Sequence, residues 1–157
     1  MKPVRLGNIV VDIVTGLRGT AASFHEPMVG MKQIAIQPQG DGQTIPESTY
    51  IDEYLVEVVE DGIADRVPPV EQAPFQFGQE VRDIASGQVG KITSRVTYLN
   101  GCVHFGVTTN SQENKNPEHF YVDYHRLELV SDGVKAKVPV AGPSGGPMIR
   151  ASSMKAR

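Results

Sequence analysis

Apolar residues in this chain come in short runs that alternate with polar ones, and no run keeps a helical period. In residues 7–14, Ile9, Val11 and Ile13 fall on one face and Val10 and Val14 on the other, which predicts a strand with both faces partly covered. Further strands are predicted over residues 20–25, 32–37, 49–51 and 56–59, with Ile34 and Ile36 alternating against polar neighbours in the third. Residues 38–48, rich in Gly, Gln and Pro, read as the long loop of this set. Asp52 is placed to cap a single 3₁₀ turn over Glu53–Leu55, and Asp61-Gly62 ends the series with a turn signal.

The same order of signals then returns. Asp12-Ile13-Val14-Thr15-Gly16-Leu17-Arg18-Gly19 is echoed 71 residues later by Asp83-Ile84-Ala85-Ser86-Gly87-Gln88-Val89-Gly90. Laid over residues 77–133 without gaps, residues 6–62 are identical at 16 of 57 positions. Gly7, Val10, Asp12, Gly16, Gly19, Gly30, Tyr50, Asp52, Val59 and Gly62 are among the residues that recur. No His, Cys or Lys recurs, so the copies share turns and core rather than an active site. The second set of strands is predicted over residues 80–85, 91–98, 102–108, 120–122 and 127–130, with a capped turn at 123–126.

The predicted fold is therefore all-β: two tandem, SH3-like five-stranded barrels made by internal duplication, with an OB-like barrel as the second choice. The first barrel occupies residues 1–62, a Pro-rich linker 63–76, the second barrel 77–133, and an extended C-terminal arm 134–157. Units this small bury modest cores and are expected to lean on each other or on another chain. Asp12 and Asp83 are predicted to accept backbone N–H bonds in a turn, Gly16 and Gly87 to supply positive φ, and Gly19 and Gly90 to allow a close crossing or a bulge.

Charge divides along the same boundaries. Residues 6–62 carry nine acids and two bases, residues 77–133 seven acids and five bases, and residues 134–157 five bases and no acid. An acidic body repels phosphate backbones, which argues against nucleic-acid binding by the barrels. The basic tail, with Lys135, Lys137, Arg150, Lys155 and Arg157 among Pro, Gly, Ser and Ala, cannot form its own core. It reads as an arm that orders on a partner, and an acidic first unit of a neighbouring copy is one target. The single Cys102 excludes an internal disulfide framework and suits a reducing compartment. No apolar run reaches membrane-spanning length, and the N-terminus lacks a signal-peptide core.

Candidate chemistry is sparse. His119, Asp123 and His125 offer two imidazoles and a carboxylate, but only the Asp recurs in the other copy, so a capping Asp beside two surface histidines is the simpler reading. Cys102 aligns with Met31, and both are expected to fill core space. His25 and His104 read as surface or strand residues. The Gly16–Gly19 and Gly87–Gly90 spacings lack the following helix that phosphate binding needs, so they are expected to be turns. No catalytic residue, cofactor or metal is assigned.

The stretch from Asp83 through Gly87, Gly90, Thr93, Arg95, Tyr98-Leu99 and Gly101-Cys102 resembles a unit of small proteins encoded by tailed bacteriophages, with the pattern D-x-x-T-G-x-x-G-x-x-T-x-R-x-x-Y-L-x-G-C. Tyr121-Val122-Asp123 and Leu127-Glu128 match its later part. Ser86 replaces the Thr, and the first copy is degenerate, with Phe24 at the Arg position and Met31 at the Cys position. The resemblance implies a phage origin and a part in the virion. The expected role is a capsid decoration or cement protein made in the host cytoplasm, binding the major capsid protein, copies of itself, or both. A neck, tail or baseplate component is the first alternative, a nucleic-acid-binding module using the tail the second, and a hydrolase using His119 and Asp123 the third.

Overall fold

The structure, a computed structural model, describes residues 1–136. It is all-β, apart from three 3₁₀ turns at Glu53–Leu55, Ala64–Arg66 and Tyr124–Arg126. The strands are β1 (Ile9–Asp12), β2 (Arg18–Pro27), β3 (Gln33–Gln37), β4 (Thr49–Asp52), β5 (Val56–Glu60), β6 (Glu80–Asp83), β7 (Val89–Tyr98), β8 (Val103–Thr109), β9 (His119–Asp123) and β10 (Leu127–Ser131). All ten belong to one antiparallel sheet, whose main path runs β10-β6-β7-β2-β1-β5. β3 and β4 branch from β2, and β8 and β9 branch from β7. The sheet does not close on itself: β4 and β5, like β9 and β10, are joined by a 3₁₀ turn and share no ladder.

The 71-residue offset holds at the level of single bonds. β2 and β7 begin and end at counterpart residues. The β1–β5 ladder slips between Ile9 and Val10, and the β6–β10 ladder slips at the counterparts, between Glu80 and Val81. The β2–β3 ladder slips between Ala21 and Ser23, and the β7–β8 ladder between Ile92 and Ser94. A bulge bends its strand and increases the local twist. Here it sits where each long strand changes neighbours. β2 pairs with β1 over Arg18–Thr20 and then with β7 over Ser23–Pro27, while β3 runs along its other edge.

That β2–β7 ladder joins the halves, and it is symmetric. Ser23 faces Tyr98 and Pro27 faces Ser94, and these are the same pair read from its two ends. The central pair, His25 with Val96, joins a position to its own counterpart. The contact is of the isologous kind made by a two-fold dimer, here within one chain.

Two cores lie on either side of this junction. One is Val10, Ala21, Ile34, Ile36 and Val56; the other is built on the counterparts Val81, Ile92, Phe105, Val107 and Leu127, with Val103 and Val122. The second is the bulkier, Ile92 and Phe105 standing where the first has Ala21 and Ile34.

Both faces of β1 are covered, to different depths, and two further expectations are corrected. The buried face of β1 is Val10 and Asp12, while Ile9 and Val11 are half-buried and Ile13 is exposed. Asp12 must point inward to hold the following turn, and that sets the phase of the strand. The 63–76 segment is packed rather than a free spacer. Ala64 is buried, Ala73 and Phe75 pack on the second core, and Phe75 meets Phe105 edge to face at 6.0 Å. Burial alternates along it, with Glu71, Ala73 and Phe75 less exposed than the residues between them. Met31 is half exposed and Cys102 half-buried in the turn after β7, so neither fills a core as expected. Both follow a turn glycine, Gly30 or Gly101, outside the ladders that enclose the cores.

Candidate functional site

The symmetric junction builds a groove. His25 lies at its centre, and Tyr50 of β4 and Tyr121 of β9 approach from the two halves, at ring-centroid distances of 6.1 and 6.3 Å, both edge-on. Tyr50 faces Ala35 across the β3–β4 ladder, and its counterpart Tyr121 faces Gly106 across β8–β9, so the halves place the two rings in the same way. Val96, Tyr98 and Gln33 complete a hollow of about 360 Å³. The Tyr121 hydroxyl lies 3.3 Å from His25 Nε2. Burial, with the nearby phenols of Tyr50 and Tyr121, raises the Tyr98 phenol above its ordinary pKa. The lining is aromatic, with no Asp, Glu, Lys or Arg in it. Asp52 and Asp123, each two residues beyond one of the flanking tyrosines, stand beside it.

The turn residues predicted from the repeat take the places expected of them. Asp12 accepts from the N–H of Val14 at 3.0 Å and of Thr15 at 3.3 Å, and from the Thr15 hydroxyl at 2.5 Å. Asp83 accepts from Ala85 N–H at 3.2 Å and the Ser86 hydroxyl at 2.6 Å. Gly16 and Gly87 both have φ 77°. Gly19 and Gly90 are close crossings: a Cβ would stand 2.3 Å from Gln37 O in one half and 2.5 Å from Thr108 O in the other.

Asp83 has one partner that Asp12 lacks. Arg126 donates to it twice, from Nε at 3.0 Å and Nη2 at 2.6 Å, where the first half has Leu55. That fork, with the Ser86 hydroxyl, lowers the Asp83 carboxyl to about 2.

His119, Asp123 and His125 do not converge. His119 Nδ1 meets the Thr108 hydroxyl at 3.0 Å. Asp123 caps its 3₁₀ turn by accepting from His125 N–H and bonds His125 Nδ1 at 2.7 Å, with His104 Nε2 at 3.7 Å. Asp52 does not cap its turn as expected; it accepts instead from Gln33 Nε2 at 3.0 Å. Among the described residues no group of three His, Cys, Asp or Glu could hold a metal ion. Of the predicted arm residues only Lys135 is described, and it is exposed; Lys137, Arg150, Lys155 and Arg157 lie outside the described residues.

The groove was not foreseen, although its signal was in the repeat. Tyr50 and Tyr121 are identical yet about half exposed, 49% each, so a shared core does not explain them. The same holds for Ile13 and Ile84, at 51% and 61%, and for Val59 and Val130, at 47% and 40%. Comparison with protein-family models, curated proteins and solved structures found no significant match.

Proposed function

We propose that this chain is a structural protein of a tailed-phage particle, most specifically one that decorates or cements the capsid shell, and that it acts by binding other proteins. The observation that carries the reading is a set of apolar side chains left exposed at the same places in both halves: Ile13 and Ile84 beside the Asp turns, and Val59 and Val130 on the outer strands. A shared core does not explain them, and exposed apolar surface is where protein contacts form. Contact points present twice and related by a two-fold suit two equivalent positions on neighbouring shell subunits, where weak contacts add as avidity. In this reading each half is an SH3-like unit, and the phage origin rests on the resemblance of residues 83–102.

An attachment assay tests it. Purified chain should bind particles that lack it, and Ile13→Glu with Ile84→Glu should abolish attachment with the thermal midpoint unchanged within a few degrees. Attachment by the double variant as strong as by the native chain would count against the repeated patches. A nucleic-acid role gains no support from the two acidic halves.

A further inference from the structure

The aromatic groove at the dyad is a separate feature from the exposed apolar patches, and nothing so far assigns it an occupant. We propose that it is a docking site for an extended, proline-bearing peptide, and that its occupant is the C-terminal segment of this chain, residues 138–147, Val138-Pro139-Val140-Ala141-Gly142-Pro143-Ser144-Gly145-Gly146-Pro147. Segments of this composition favour the polyproline II conformation, which has no internal hydrogen bonds and leaves its carbonyls free. Aromatic-lined grooves bind such segments by stacking rings against proline faces and donating to those carbonyls. The groove offers that equipment in Tyr50, Tyr98 and Tyr121 around His25.

Charge and reach agree on the occupant. Residues 138–147 carry no ionisable side chain, and neither does the lining except for His25 and the three phenols. Bases flank the segment on both sides, Lys135 and Lys137 before it and Arg150 after it, while Asp52 and Asp123 flank the groove. The described chain ends close by. Val134 N–H donates to Gly78 O at 2.9 Å, and Gly78 N–H donates to Ile92 O at 2.8 Å. Ile92 lies four residues along β7 from Val96, about 13 Å at strand spacing. The two hydrogen-bonded steps from Val134 to Ile92 add roughly 5 Å each, so about five to seven residues of extended chain beyond Val134 reach the groove, which brings in residues from about 139 onward. The proposal does not depend on the shell-binding reading, since its test uses the free protein alone.

The test is tyrosine nitration of the intact full-length chain, mapped by peptide mass spectrometry. Tyr54, which lies outside the groove and is 56% exposed, is the internal standard. Without an occupant, Tyr50 and Tyr121 should react nearly as fast as Tyr54. With the segment docked, both should react several-fold slower, and Pro139→Ser, Pro143→Ser, Pro147→Ser in the same chain should release them. Equal reactivity of the three tyrosines in the native chain would overturn the proposal. So would protection that survives the proline substitutions, which would assign the groove to a second copy if it grew with protein concentration.

Discussion

At the residue scale, glycines and one carboxylate carry more of the structure than their size implies. Each half ends by passing its last turn against its own beginning. A Cβ on Gly62 would stand 2.3 Å from Gly7 O, and one on Gly133 would stand 1.9 Å from Gly78 O; all four residues have positive φ. Gly62→Ala therefore meets both a steric clash and a left-handed backbone, and should destabilise by about 2 kcal/mol or more, read from chemical denaturation. A cost within ~0.5 kcal/mol would mean that the two ends are not held together as described. Asp83 gives a pH signature. Its carboxyl sits at about 2 in the fold, below its ordinary value, chiefly because of Arg126. A group with a lowered folded pKa contributes stability that is fully present above the unfolded value and is lost as pH falls through the folded one. Stability should therefore drop as pH falls from about 4 towards 2, and Asp83→Asn should be less stable at neutral pH with a shallower drop across that window. Identical acid dependence in the variant would remove Asp83 from the account.

At the scale of elements, the long strands β2 and β7 hold the molecule together. Between Ser23 and His25, β2 is paired on both edges, with β3 and with β7. β7 is paired likewise over Ser94–Thr97, with β8 and β2. The outer strands β5 and β10 have one partner each and carry Glu57, Glu60 and Glu128, charges that discourage further edge pairing. Amide hydrogen exchange should be slowest in the centres of β2 and β7 and fastest in β5 and β10. Exchange in β2 as fast as in β5 would contradict the junction.

Much of this scale was legible in the sequence. Alternation located all ten strands to within a few residues, because the repeat let each half check the other, and the Asp-x-x-[Thr/Ser]-Gly turns were fixed by chemistry that only those residues supply. What could not be read was the extension of β2 from 20–25 to Arg18–Pro27 and its partner. Glu26 and Pro27 have no strand preference of their own; the facing strand of the other half holds them. The groove was hidden for the same reason, since Tyr50, His25 and Tyr121 meet only once that pairing exists. The packing of Ala73 and Phe75 was masked by prolines that read as a spacer.

For the whole molecule, the ladder between the halves makes two small cores into one cooperative unit. Each core alone is of a size that is marginal in isolation. Calorimetry should show a single unfolding transition, with the calorimetric and van't Hoff enthalpies equal, rather than two steps. Two resolved transitions would mean that the β2–β7 ladder does not couple the halves.

The functional reading belongs to the same scale. In the proposed role, the two-fold body would use the apolar side chains exposed in both halves to bridge identical neighbours. The most direct measurement is quantitative mass spectrometry of purified particles of the tailed phage that the proposal takes as the source of this chain. The account predicts the chain in fixed proportion to the shell subunits. A handful of copies per particle would place it at the neck or tail and contradict the shell-binding proposal, and its absence from the particle would contradict the structural role altogether.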